Sequence, residues 1–312
     1  MSFTVTILGS NSAIPSPERF PTAQVLKVHE RFFLLDCGEG TQIRLRQFGI
    51  NISRINHIFI SHLHGDHVFG LFGLISSYTL NGRKNDLHIH AHADLNSSLE
   101  HYKKYFGTGL CYNIVFHPYP GNLRGIIYDD KQLTIEIIPL RHSIPVAGFI
   151  FREKTRPLNI RKEAISEYSL GIRDIQNIKA GADLMLESGQ IIRNSSLTLP
   201  PYRPRSYAFC TDTSVFQALI PALCNLDMIY FESTFLDVDK SLARVTNHST
   251  AKQAASLAVK INTRKLLLGH FSNRYKDISL FEKEAREIFP ESYTVKDGEK
   301  YDIPQTRDEF RS

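Results

Sequence analysis

"SHLHGDH", residues 61–67, sets His62, His64, Asp66 and His67 within seven positions. Imidazoles this close repel one another when protonated and resist burial when neutral, so the cluster points to a held cation. The stretch ends a strand-like run, INHIFIS (55–61), and opens an apolar helix-like run from Val68. It therefore lies at the rim of a sheet, where a cavity can open. His62 and His64, two apart in extended chain, point the same way. Asp66 and His67 follow the Gly65 turn and approach from a second direction. That arrangement suits two adjacent ions better than one tetrahedral ion with its three or four ligands.

A two-ion site needs more ligands, a bridging carboxylate among them, and one criterion finds them: a His or Asp just beyond a strand. His142 after LTIEIIPL (133–140), Asp212 after YAFCT (207–211) and His270 after KLLLG (265–269) meet it. The remaining histidines, His57, His88, His90, His92, His101 and His117, read as ordinary core or surface residues. LHIHAH (87–92) imitates a metal tract, but its alternation fits a half-exposed strand and no acidic partner follows it.

Further strand-like runs cover 3–9, 23–28, 31–36, 147–152 and 226–232. Helical periodicity marks 41–48, 68–80, 214–223 and 249–261. A β-rich first half followed by mixed β and α predicts a layered α/β protein with helices outside packed sheets. The length of 312 residues allows one large core carrying an insertion. From Glu153 to Leu199 the rhythm breaks and polar residues dominate, with prolines gathering just beyond in LPPYRP. Between Arg152 and Gly181 there are seven Lys/Arg against four Asp/Glu, so this projecting insertion is slightly basic. No run approaches 18 apolar residues, which argues against a spanning helix. MSFTVTILG lacks the charged and apolar regions of a signal peptide. Cys37, Cys111, Cys210 and Cys224 are scattered, three of them in apolar runs, as reduced core thiols would be. Together these features predict a cytoplasmic protein with no membrane association. A net charge of +5 leans towards polyanionic partners.

His-x-His-x-Asp-His is the signature of the metallo-β-lactamase superfamily, which the chain resembles. More narrowly it is similar to the ribonuclease Z family of tRNA 3′-processing endonucleases. The similarity rests on DCGEGTQ (36–42), PLRHS (139–143), CTDT (210–213), FEST (231–234), NHST (247–250) and LLLGHFSNRY (266–275), all in the family's order. The resemblance implies an αβ/βα four-layer sandwich, one domain over 1–312, with a flexible arm at 153–199 that grips tRNA. By the same resemblance His62, His64 and His142 would hold one zinc, Asp66, His67 and His270 a second, and Asp212 would bridge them. Manganese, iron or cobalt would also suit these ligands. Two such cations, about 3.5–4 Å apart, clamp the attacking and leaving oxygens and lower the pKa of a water between them.

The family's remaining roles carry over residue by residue. Asp66 would also accept a proton, His248 would donate one to the leaving 3′-oxygen, and Glu232 would orient His248. The sequence departs from the family at three places. Phe231 replaces a histidine before Glu232. Pro15–Phe20 reads PSPERF for Pro-x-Lys-x-Arg-Asn, keeping Arg19 as a substrate-binding candidate. Gly171-Ile172 stands for the arm's Gly-Pro, making Gly171 the second. The implied reaction is cleavage of precursor tRNA after the discriminator nucleotide, leaving a 3′-hydroxyl and a 5′-phosphate. The implied state is a homodimer in which one subunit's arm serves the other's site. The alternatives are a phosphodiesterase of the same superfamily acting on small phosphodiesters, and a non-catalytic tRNA-binding or zinc-structural protein. The presence of both Asp66 and His248 speaks against the second.

Overall fold

The computed structural model describes residues 2–307. Its first strands, β1 (Phe3–Gly9), β2 (Ala23–Val28) and β3 (Arg31–Leu35), form an antiparallel meander. β4 (Ile55–Phe59), β5 (Leu87–His92) and β6 (Ile114–Tyr119) then add in parallel. Parallel neighbours require crossovers, and helices supply them. These are α1 (Thr41–Gln47), α2 (Gly65–Val68) with α3 (Gly70–Leu80), and α4 (Leu95–Phe106).

The second half mirrors this plan. β7 (Gly125–Asp129), β8 (Leu133–Pro139) and β9 (Ala147–Glu153) are antiparallel. The insertion follows, built from β10 (Asn159–Ile160), α5 (Lys162–Glu167), α6 (Ile172–Lys179), β11 (Leu184–Met185), β12 (Ile191–Ile192), α7 (Asn194–Leu197) and β13 (Thr198–Leu199). β14 (Ser206–Cys210), α8 (Leu219–Leu223), β15 (Met228–Glu232), α9 (Lys240–Val245), α10 (Ala251–Lys260), β16 (Leu266–Gly269), α11 (Ser279–Arg286) and β17 (Ser292–Thr294) then alternate strand and helix. β18 (Lys300–Asp302) returns to pair with β1. The two seven-stranded sheets run β18-β1-β2-β3-β4-β5-β6 and β17-β16-β15-β14-β9-β8-β7. The fold is the layered α/β architecture that the residue patterns predict, in the four-layer form that the resemblance implies.

Between the sheets Phe33, Phe59, Phe149 and Phe151 interlock with ring centroids 5.4–6.2 Å apart. All four are fully buried, each contributing roughly 1.5–3 kcal/mol. Leu45, Leu71, Leu74, Ile75 and Leu99 seal the outer helices onto the first sheet. A third cluster, Ala164, Leu170, Ile178, Leu184 and Leu197, belongs to the insertion alone, giving it a small core of its own. Glu153 is the last residue of β9, and its carboxylate accepts from Arg205 Nε and Nη2 at 2.9 and 2.8 Å. This pair ties the two ends of the insertion together. The four cysteines are free, with Cys37 and Cys210 buried and Cys111 exposed.

The first sheet departs from expectation in one respect. LHIHAH is a mostly buried strand, with His90 3% exposed, because Leu87, Ile89 and Ala91 join the core under the helices while His90 stacks between Phe59 and His117.

Candidate metal centre

The C-terminal ends of the parallel strands in both sheets meet at one edge. Ala147 N–H donates to Ser61 O at 2.9 Å there, joining β9 to the chain beyond β4. Ligand crevices form at such edges in open α/β sheets. The groups that the strand-exit criterion singled out all arrive at this edge, in a cleft of about 650 Å³ lined in part by His64, Asp66, His142, Asp212, His248 and His270.

Asp212 lies at the centre. Its Oδ2 is 3.5 Å from His62 Nε2 and 3.8 Å from His142 Nε2, and its Oδ1 is 3.3 Å from His67 Nε2 and 3.0 Å from His270 Nε2. The carboxylate thus faces two groups with different oxygens. Donor atoms converge in three overlapping groups: His62, His64, His142 and Asp212; Asp66, His67 and His270; and Asp212, His248 and His270. The first two groups hold the residues that the resemblance assigns to two ions.

The hydrogen bonds behind the histidines fix which ring nitrogen is left over. Ser61 Oγ donates to Asp36 Oδ2 at 2.8 Å and so accepts from His62 Nδ1 at 2.9 Å. Asp36 Oδ2 also accepts from His67 Nδ1 at 2.7 Å. Thr234 Oγ1 donates to Glu232 at 2.7 Å and so accepts from His270 Nδ1 at 3.0 Å. Asn247 O accepts from His142 Nδ1 at 3.4 Å. Each anchored ring turns its Nε2 inward, in the way that outer partners orient metal-ligating histidines. His67 Nε2 and His270 Nε2 are buried without a hydrogen-bond partner, and His62 Nε2 faces His64 Nδ1 at 3.0 Å. Buried inward nitrogens of this kind fit a divalent cation.

Charge leads to the same conclusion. Asp36, Asp66, Asp212 and Glu232 crowd this edge, and no Lys or Arg lines the cleft among the described residues. Burial opposes a charge on His67, but Asp212, Asp66 and Asp36 outweigh it and hold its pKa well above the imidazole range. Burial likewise opposes ionisation of Asp66, yet His67 and His270 keep its pKa far below the carboxylate range. His62, most affected by burial and then by the charge on His67, falls to about 4. The cluster is thus an anionic cradle with a shortage of positive charge, as a cation site should be.

Beside the cradle, His248 Nδ1 bonds to Glu232 Oε1 at 2.7 Å. Glu232 is fully buried and also accepts the N–H groups of Thr213, Thr234 and Ser249, so one carboxylate fixes three loops. Burial disfavours a charge on His248, but Glu232 outweighs it and raises the imidazole to about 9. Thr250 caps α10 through a reciprocal pair with Gln253, at 3.2 and 2.9 Å, so His248 lies just outside the helix. Asp36, Asp212 and His270 adopt left-handed backbone, with φ of 57°, 46° and 60°. Such residues cost about 1–3 kcal/mol each and mark places where side-chain aim overrides backbone comfort.

The sequence profile described as "Anti-Pycsar protein Apyc1" matches residues 3–117. A ribonuclease Z of Phocaeicola vulgatus is 44% identical, over 96% of this chain and 97% of that relative. One of Porphyromonas gingivalis strain W83 is 36% identical over 97% and 99%. The chain belongs to the ribonuclease Z family. The crystal structure of human tRNase Z, short form, is 25% identical with a TM-score of 0.70, over 96% of this chain and 99% of that one. A metallo-β-lactamase fold protein of Bacillus subtilis, 15% identical with a TM-score of 0.68, shares the fold. As a ribonuclease Z the protein is an endoribonuclease, a hydrolase.

Two substrate-binding candidates of this ribonuclease Z lie away from the centre. Arg19 does not line the cleft; its Nη2 donates to Tyr275 O at 3.3 Å, pinning the PSPERF loop to the HFSNRY loop. Gly171 starts α6 in the insertion, where its N–H donates to Asp174 Oδ2 at 3.0 Å. Two contributors escaped the sequence reading. Asp36 stands one residue beyond β3, but the strand-like run 31–36 absorbed it, so the strand-exit criterion passed over it. Thr234 has no such signal, because it acts through the orientation of a hydroxyl.

Proposed function

We propose that this ribonuclease Z cleaves precursor tRNA after the discriminator nucleotide, using two zinc ions, and leaves a 3′-hydroxyl on the tRNA and a 5′-phosphate on the trailer. His62, His64 and His142 would hold one ion and Asp66, His67 and His270 the other, with Asp212 offering an oxygen to each group. The observation that carries this reading is Asp212, whose two oxygens face the two histidine groups separately. Bound divalent ions would supply Lewis-acid activation of water and of the phosphoryl oxygens.

The chain's own groups do the rest. Asp66 is ionised, its Oδ2 accepts from Ala13 N–H at 2.8 Å, and its carboxylate is the proton acceptor in this reading. His248 keeps its proton at neutral pH, because Glu232 holds Nδ1–H and leaves Nε2–H for the leaving oxygen. The insertion, slightly basic and folded on its own core, grips the tRNA body by phosphate contacts that weaken with salt. The protein works in the cytoplasm as a homodimer, each arm serving the partner's cleft.

The test joins metal analysis of purified protein to end-mapping of a precursor tRNA digest, with a small chromogenic phosphodiester alongside. Faster turnover of the small ester than of the tRNA would overturn the substrate assignment. His248→Ala should slow cleavage and leave the metal content unchanged; metal loss would make His248 structural. Replacing 158–199 by a short linker should abolish tRNA cleavage and spare the small ester.

A further inference from the structure

One backbone N–H reaches the centre from the loop between β1 and β2. Ala13 N–H donates to Asp66 Oδ2 at 2.8 Å, and that oxygen faces His67 Nε2 and His270 Nε2 at 3.3 and 3.6 Å. The φ of Ala13 is 53°. Ile14 N–H donates to Ser12 O at 2.7 Å, so Ala13 is the middle of a three-residue turn. With positive φ such a turn is the rare, strained form. Strain of this kind persists only where the surroundings impose it.

What imposes it is a pair of amides. Asn11, fully buried, donates from Nδ2 to Ile14 O and, at 2.8 Å, to Asn273 Oδ1. Asn273 Nδ2 donates to the same Ile14 O at 2.7 Å. Two amides thus close on one carbonyl, directly beyond the strained residue. Asn273 follows His270 by three positions, and the two loops are cross-linked beside it. Ser12 N–H donates to Phe271 O and Phe271 N–H to Ser10 O, each at 3.1 Å. Asp66 comes from the first half of the sandwich and His270 from the second, and the amide pair joins the loops that fix both.

The ends of the β1–β2 loop are held separately. Asp297 accepts from Ser10 Oγ at 2.8 Å and from Phe20 N–H at 2.9 Å, and pairs with Arg44 at 3.1 Å. The Arg44 guanidinium packs on the Phe20 and Phe48 rings at 4.6 and 4.5 Å. Losing the amides therefore frees the turn and leaves the loop anchored.

We propose that Asn11 and Asn273 are positioning residues for the ion assigned to Asp66, His67 and His270. By closing on Ile14 O they force the Ala13 turn, whose N–H sets Asp66 Oδ2 in register with His270. This rests on the two-ion reading above and names what aligns ligands supplied by opposite halves of the chain.

The test loads Asn11→Ala and Asn273→Ala with zinc and titrates each with a competing chelator. One ion should be held about 10–100-fold more weakly than in the parent protein, and the other as before. At saturating zinc, kcat on precursor tRNA should fall with KM unchanged. Asn273 is exposed, so Asn273→Ala decides the matter even if Asn11→Ala fails to fold. Asn11→Ala/Asn273→Ala should cost no more than the larger single loss, because both amides act at Ile14 O. Adding Ala13→Gly to Asn273→Ala should recover most of the loss, since glycine takes a positive φ unaided. Unchanged zinc affinity and kcat, equal weakening of both ions, a rise in KM at constant kcat, additive losses, or no rescue by Ala13→Gly would each overturn the proposal. A parent protein that binds no second ion would remove the two-ion reading itself, which separates the two failures.

Discussion

The first sheet carries two histidine clusters of similar density. At the end of β4, His62, His64 and His67 meet carboxylates from Asp66 and Asp212, and Asp36 and Ser61 fix their rings from behind. In the middle of β4, β5 and β6, His57, His88, His90 and His117 meet one another. His57 Nδ1 lies 3.2 Å from His90 Nε2 and His88 Nδ1 2.9 Å from His117 Nε2, and the rings stack at 4.4–4.6 Å. Phe59 stacks on His90 at 4.3 Å, and Tyr128 closes on His57 at 5.0 Å. Here each imidazole satisfies its neighbour and the surroundings are aromatic. Burial, with the other three histidines adding to it in His90, lowers His57 to about 3 and His90 to about 2. Ring count therefore does not make a metal site. Carboxylates that demand positive charge, and outer partners that leave one nitrogen unused, distinguish the first cluster from the second.

The largest expected effect is at the first cluster. Asp66→Ala should lower cleavage on the order of a thousandfold with tRNA binding retained, and retained activity would contradict the site. Asp36→Ala, which frees His67 and Ser61, should weaken metal affinity by about 10–100-fold in a chelator competition. Unchanged affinity would show that ring anchoring is not what separates the clusters.

The second cluster should respond to acid instead. Burial holds His57, His90 and His117 below the ordinary imidazole range in the folded protein, and they titrate at about 6.5 once unfolded. The unfolded state therefore binds the extra protons, and stability falls as pH drops from about 6.5 towards 3. The slope is at most about 1.4 kcal/mol per pH unit for each histidine. Melting temperatures of metal-depleted protein between pH 7 and 5 should show this slope, and His57→Phe/His90→Phe should flatten it without changing metal content. An unchanged slope would place the acid sensitivity elsewhere. The smallest effect is expected from His117→Gln, which removes one partner of a half-exposed pair. It should cost about 1 kcal/mol in chemical denaturation and leave both metal and activity alone.

The catalytic edge was legible in the sequence because strand ends are. Runs such as LTIEIIPL and KLLLG stop abruptly, and the polar residue that follows has only one place to be. What the sequence concealed has physical causes. β6, IVFHPY, holds Pro118 and survives as an edge strand, where a missing N–H costs little. α4 shows its apolar period at Leu95, Leu99, Tyr102 and Phe106, but Phe106 is exposed and the exposed Tyr105 stands beside it, which blurs the pattern. The insertion's elements are two to eight residues long, too short for periodicity to register. LHIHAH reads as half-exposed because alternation cannot reveal that the imidazole face is covered by rings from neighbouring strands.

The Glu153–Arg205 pair at the base of the insertion has a consequence for how such an enzyme can vary. β9 runs from Ala147, beside Ser61 at the cleft, to Glu153, so the clamp lies a full strand length from the chemistry. Once the two ends are fastened, lengthening the excursion between them costs only about 0.6 kcal/mol per doubling. If the insertion grips RNA as proposed, it can be rebuilt for a new RNA shape while the residues at the opposite edge stay in register. The clamp lets recognition change without renegotiating catalysis.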